Sequence, residues 1–222
     1  MPEPDAQFYH AQRKAKENFN AELYYAQVNV LDHVSLDETI GRIADTRQRL
    51  DGLIAAAGIQ QVTPALEYKY EDIKKMMDVN FTGVYLSATA TARQMMKYKT
   101  RGSIVLVGSM SGSIANKGLI SSVYNSSKAA VVQLGRNLAM EWGRVKEDGT
   151  GGIRVNVLSP GHIVTPMVQT EFEKKPELRE FWESENLLGR IADPAEFKGA
   201  ALFMLSNASS FMTGSNLVSS TV

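Results

Sequence analysis

Residues 102–145 constrain this chain more than any other stretch. They open with a short apolar run, Ile104 to Val107, bounded by Gly102 and Gly108, which predicts a buried strand. A loop of small residues follows. Then Val131, Leu134, Leu138, Trp142 and Val145 recur at three- or four-residue spacing, so one face of a long helix is apolar. Similar units recur along the chain. Leu23–Val30 is β-branched and aromatic enough for a strand. Ser35 and Glu38 fit a capping box ahead of a helix marked by Ile40, Ile43 and Leu50. Leu53–Ala56 predicts a short buried strand ending in Ala57–Gly58, and 65–97 a helical stretch in two pieces. Ile153–Leu158 predicts another buried strand, Pro194 opens a last helix, and Leu217 and Val218 suggest a final strand. Strands alternating with helices argue for a parallel α/β sheet. The 222 residues, 44% hydrophobic, suffice for one domain spanning 1–222.

Composition excludes several classes of function. Lys+Arg and Asp+Glu both number 24, so no basic excess points to nucleic acid or an acidic membrane. Cysteine is absent, which removes disulfides and thiolate metal sites. The start, MPEPDAQFYH, has neither a basic nor an apolar signal region, and no apolar run approaches the roughly 18 residues of a membrane span. A soluble, cytoplasmic protein with a small-molecule partner is the expectation.

The helix after the central strand carries the chemistry. Tyr124 and Lys128 stand four residues apart, so a phenol and an ammonium share one face. A nearby cation favours the phenolate and brings the tyrosine below its usual value of about 10. Such a tyrosine can pass a proton to or from a substrate oxygen, while Ser109 or Ser111 in the loop holds that oxygen. This suits interconversion of an alcohol and a ketone with hydride from a cofactor. Taken alone, Y-x-x-x-K is common on surface helices and serines before a helix are ordinary caps. A hydrolase reading of G-S-M-S-G fails, because the central position of a nucleophile elbow is here Met110.

Order and spacing lift the signal. The run VGSMSG…YNSSK resembles the short-chain dehydrogenase/reductase family, and the likeness extends from about Leu23 to Val218. It implies Ser109 as the catalytic serine, with Ser111 as runner-up, Tyr124 as acid/base and Lys128 beside it. It further implies Asn80, in DVNFTGVY, as the holder of a water linking the lysine to solvent. NVLSPGHIVTPM resembles the family's P-G-x-[IV]-x-T segment, so Pro160 and Gly161 would shape the turn while Ile163 and Thr165 contact the nicotinamide. Asn29 and Val30 would bracket adenine, and Ala57 and Gly58 stand in the family's N-N-A-G segment, here AAAG. Tyr124 and Lys128 would also face the cofactor, NADP or NAD. EWGRV looks most like fungal polyol dehydrogenases and ketose reductases.

Two departures bear on activity: AAAG lacks both asparagine amides of the family's N-N-A-G, and the Gly-rich turn is missing. Residues 1–22 contain no glycine, so the family's G-x-x-x-G-x-G turn, whose N–H groups bind the pyrophosphate, has no counterpart. The implied fold is therefore a Rossmann-like doubly wound sheet lacking its first two strands, as a truncated gene product would. In the family's strand order, 3-2-1-4-5-6-7, that leaves Leu23–Val30 without its neighbours. Either it pairs beside Leu53–Ala56 or the first 50 residues detach. Cofactor binding is expected to be poor and the fold marginal. The second helical piece carries Gly83, Ser87, Ala88, Thr91 and Ala92, small enough for another helix to approach. In the family that helix pairs with its copy, which implies a homodimer or homotetramer; packing inside one subunit is the simpler use. A non-catalytic protein that keeps the fold for dimerisation is the alternative to an oxidoreductase. The complete Asn80, Ser109, Tyr124, Lys128 set argues against it.

Overall fold

The structure is a computed structural model and describes residues 4–116, 120–165, 168–169, 172–173 and 175–219. Four parallel strands lie in chain order: β1 (Gly52–Ala55), β2 (Ser103–Val107), β3 (Arg154–Pro160) and β4 (Asn216–Ser219). The helices are α1 (Ala6–Phe19), α2 (His33–Arg47), α3 (Tyr70–Met77), α4 (Gly83–Lys97), α5 (Ser122–Trp142), α6 (Glu177–Glu185) and α7 (Lys198–Leu205).

Successive strand residues face opposite sides, and the pattern divides the core accordingly. Ile104 and Leu106 of β2, with Val155 and Val157 of β3, point to one side. There they meet Val84, Ala88 and Met95 of α4 and Val131, Leu134 and Leu138 of α5. Val105 and Leu158 point to the other side, against Met204 of α7. Helices on both faces explain why β2 reads as a continuous apolar run, whereas β3 interleaves Arg154 and Asn156, which donate to Met204 O and Met212 O.

Several sequence expectations need correction. Leu23–Val30 forms no strand; 20–29 has no regular structure. A strand exists only through a neighbour, and β1 pairs with β2 alone, leaving its other edge open. The expected buried strand at Leu53–Ala56 is for the same reason only partly covered, with Ile54 44% exposed. Residues 30–47 nonetheless stay attached, while α1 buries none of its residues. Val30 packs against the start of α4, where a Cβ on Gly83 would lie 2.7 Å from Val30 Cγ2. Along α2, Asp37 pairs with Arg93 at 2.9 Å and Asp45 with Lys97 at 2.9 Å. These exposed pairs fix orientation more than they add stability. The cap of α2 is Asp32, which accepts from Ser35 N at 3.1 Å, and not Ser35 itself. All five small residues of α4 are buried within the single chain. Intrachain packing accounts for the stripe, which therefore carries no argument for a dimer. No helix among the described residues is long and apolar enough to cross a membrane.

Candidate active site

The strands end along one edge of the sheet, and there a cleft of about 230 Å³ opens. Parallel α/β sheets present their ligand sites at this carboxyl edge. Ser109, Ser111, Tyr124, Lys128, Gly58, Pro160, Gly161, Ile163 and Thr165 all line it. Residues spread over more than a hundred positions of sequence are brought together because β1, β2 and β3 end side by side.

Ser109 follows β2 and caps a 3-10 turn, Met110–Gly112, its Oγ accepting from Ser111 N at 3.2 Å. That turn lies on the backbone of α5. A Cβ on Gly112 would come within 2.8 Å of Lys128 C and 2.9 Å of Ala129 N, so only glycine permits the approach. Ser109 is thereby placed in the same cleft as Tyr124. Burial pushes the Tyr124 hydroxyl above its usual value, and the Ser109 hydroxyl pulls the other way. The expected lowering by Lys128 is not what the geometry provides. Lys128 Nζ stands 5.8 Å from the Tyr124 ring centre and donates instead to Val107 O at 2.9 Å.

Lys128 is 4% exposed, and burial alone brings its pKa from 10.5 down to about 8. A fall of that size corresponds to about 3 kcal/mol of destabilisation where the lysine is charged. The sign follows from proton counting. Between pH 8 and 10.5 the unfolded chain binds the extra proton, so stability rises with pH across that window. Lys128→Met is therefore expected to melt higher than the parent at pH 7, with the gain fading as the pH climbs from about 8 towards 10.5. A gain that does not change with pH would contradict the assignment.

Asn80 is fully buried in a π-helical turn, Asp78–Thr82, between α3 and α4. Such turns are rare and occur mostly as local bulges, frequently at functional sites. Its Oδ1 accepts from Ile59 N at 2.8 Å; its Nδ2 donates to Ile59 O at 2.9 Å and to Ser127 Oγ at 3.0 Å. It thus ties the loop after β1 to α5 behind Lys128. A Cβ on Gly58 would lie 3.4 Å from Asn80 Oδ1 and 3.5 Å from Lys128 Nζ, so both groups converge on that glycine. Asn80→Ala strands the Ile59 N–H and C=O and should cost about 2–4 kcal/mol in a urea melt. A parent-like midpoint would show the two bonds to be dispensable.

Asn29, Val30 and Ala57 do not line the cleft. Asn29 is exposed and its Oδ1 accepts from Leu31 N at 3.0 Å, a local turn. Val30 is spent on α4, and Ala57 is exposed between cleft-lining Ala56 and Gly58. The described residues therefore fit the nicotinamide end of a dinucleotide, where a buried cation and the turn after β3 meet. They offer no cradle for its ADP half.

Comparison with known proteins decides the family. The family model described as enoyl-(acyl carrier protein) reductase matches residues 4–220. The short-chain dehydrogenase/reductase notP' of Aspergillus versicolor is 41% identical over 97% of this chain and 73% of its own length. This chain belongs to the short-chain dehydrogenase/reductase family. D-arabinitol 2-dehydrogenase [ribulose-forming] of Scheffersomyces stipitis is 39% identical over 86% of the chain and 67% of its own length. The chain thus spans about two thirds to three quarters of these relatives. Among solved short-chain dehydrogenase/reductase structures, one from Mycobacterium marinum superposes with a TM-score of 0.82 at 32% identity, covering 95% of this chain and 80% of that one. A gluconate 5-dehydrogenase from Burkholderia cenocepacia J2315, in complex with NADP and tartrate, gives 0.83 at 27% identity over 96% and 78%. NAD+-bound xylitol dehydrogenase also gives 0.83, at 25% identity over 96% and 84%.

Within this short-chain dehydrogenase/reductase site, sequence reasoning missed Ser127, His162 and Asn186. Ser127 donates to Tyr124 O at 2.7 Å and accepts from Asn80, bridging the two. Its only signal was a place between Tyr124 and Lys128. His162 fills the variable position of the P-G-x-[IV]-x-T segment, and Asn186 lies in a stretch with no periodic pattern to read.

Proposed function

We propose that the cleft interconverts a secondary alcohol and a ketone, as a polyol/ketose pair, with NADP or NAD as hydride carrier. The observation that carries this reading is that Ser109, Tyr124 and the buried Lys128 ammonium line one cleft. The relatives support the substrate class: they are D-arabinitol and galactitol dehydrogenases and an L-xylulose reductase by name. Complexes with NADP and with NAD+ both occur among the structural neighbours, which leaves the two coenzymes level.

The dinucleotide, when bound, supplies or takes the hydride at the substrate carbon. The residues of this chain do the rest. The Ser109 hydroxyl donates to the substrate oxygen and fixes its distance from Tyr124. With its pKa raised, the Tyr124 phenol keeps its proton at neutral pH, and it delivers that proton as the ketone oxygen becomes an alkoxide. Lys128, anchored on Val107 O, keeps a positive charge beside that developing anion. Asn80 acts through Ile59 and Ser127, as a positioning residue.

The test is ketose-dependent oxidation of reduced nicotinamide by the 222-residue chain at millimolar coenzyme, with D-ribulose as substrate. The reading predicts turnover at neutral pH; none with either coenzyme would oppose it. A second reading, a non-catalytic member of the family, is favoured by one observation: Asn29, Val30 and Ala57 stand outside the cleft and nothing described replaces a pyrophosphate cradle. It predicts a folded chain without turnover.

A further inference from the structure

The cleft has a second polar wall, opposite in origin to the Ser109–Tyr124 wall. The turn after β3 delivers His162, and a β-bridge between Ile163 and Ala192 pins it. Ala192 N donates to His162 O at 3.1 Å, and Val164 N to Ala192 O at 2.9 Å. The imidazole lies flat on Trp182, with centroids 4.3 Å apart and planes within 7°. Trp182 is itself 6% exposed and held edge-on by Phe172 at 5.3 Å. The ring of His162 therefore has little freedom to turn.

Its protonation is fixed by a neighbour. Asn186 closes α6, and its Nδ2 donates to Trp182 O at 2.6 Å. That contact orients the amide, because the opposite orientation would set two carbonyl oxygens against each other. The same Nδ2 then faces His162 Nδ1 at 3.2 Å and donates its second hydrogen there. Nδ1 must accept, so the proton of the neutral ring sits on Nε2. An imidazolium would put two donors face to face. No carboxylate lines the cleft among the described residues, and burial keeps the ring neutral down to about pH 4. No described residue accepts a hydrogen bond from Nε2.

We propose that His162 is a specificity-determining residue, whose Nε2–H donates to a hydroxyl oxygen of a polyhydroxylated substrate other than the oxygen being reduced or oxidised. The proposal rests on the alcohol/ketone reading above. A group built to bind a hydroxyl discriminates against substrates that lack one, because its own donor is otherwise left without a substrate partner in a half-buried wall. A simple secondary alcohol has nothing for His162 to bind.

The experiment uses the full chain labelled with 15N-histidine. It has three histidines, His10, His33 and His162, so His162→Phe assigns the signal. At pH 6.5 a long-range 1H–15N spectrum should show His162 as the single Nε2–H tautomer, and D-arabinitol with NADP+ present should shift that signal. His162→Phe keeps an aromatic ring on Trp182 and removes the donor. It should raise KM for D-arabinitol roughly tenfold more than KM for 2-butanol, with little change in the kcat ratio. A His162 signal that is imidazolium, carries Nδ1–H, or stays unmoved by molar D-arabinitol overturns the proposal, as does an equal rise in both KM values. A shifted signal without any turnover would defeat the oxidoreductase reading and leave His162 as a polyol-binding residue.

Discussion

Tyr124→Phe is expected to lower kcat for ketose reduction by at least ~10², with a much smaller change in coenzyme affinity. The substitution keeps the ring and its packing in the first turn of α5 and removes only the hydroxyl. The proton demanded by the forming alkoxide must then come from water, which lacks both the fixed distance and the neighbouring Lys128 charge. Steady-state kinetics at millimolar NADPH check this, with a melt to show that the variant is folded. The effect should fall on kcat and kcat/KM together, the signature of an interaction made only in the transition state. A near-parent rate would remove Tyr124 from the chemistry.

The second large effect concerns which half of the dinucleotide the chain grips. NADPH and reduced nicotinamide mononucleotide are expected to bind with dissociation constants within about tenfold of each other, a difference under about 1.4 kcal/mol. On the proposed reading, the nicotinamide end would meet Thr165, Ile163, Gly161 and Lys128, which line the cleft. Among the described residues, no glycine-rich turn offers the ADP half a ring of backbone N–H groups at a helix start, the usual source of pyrophosphate affinity. Asn29, which resemblance assigned to adenine, hydrogen-bonds its own backbone neighbour instead. Fluorescence titration of both ligands measures the ratio. Binding of NADPH a thousandfold tighter would mean that an ADP site exists outside the cleft.

Much of this arrangement was legible because it is local. Ile104–Val107 and the helix bearing Tyr124 and Lys128 follow from short-range pattern and formed where expected, and the strand expected at Ile153–Leu158 formed as Arg154–Pro160, two residues further into the expected turn. Convergence on one cleft then follows from parallel topology, which sets the ends of β1, β2 and β3 side by side. What failed was non-local. Leu23–Val30 has the composition of a strand, yet strand formation depends on a partner that no window of sequence contains. The small residues of α4 fit either a partner helix or the sheet beneath, and only packing distinguishes them. The pKa of Tyr124 depends on where the Lys128 ammonium is anchored, which i,i+4 spacing leaves open. His162 gains its meaning from Trp182 and Asn186, twenty or more positions away.

The most direct test of the central claim is transfer of the hydride itself. The chain would be incubated with D-ribulose and millimolar NADPH deuterated at nicotinamide carbon 4, and the sugar product analysed by mass spectrometry and NMR. The account predicts a pentitol carrying one deuterium on carbon 2, formed at least ~10² more slowly by Tyr124→Phe. A folded chain that leaves the ketose unlabelled, or labels it equally well without Tyr124, would contradict it.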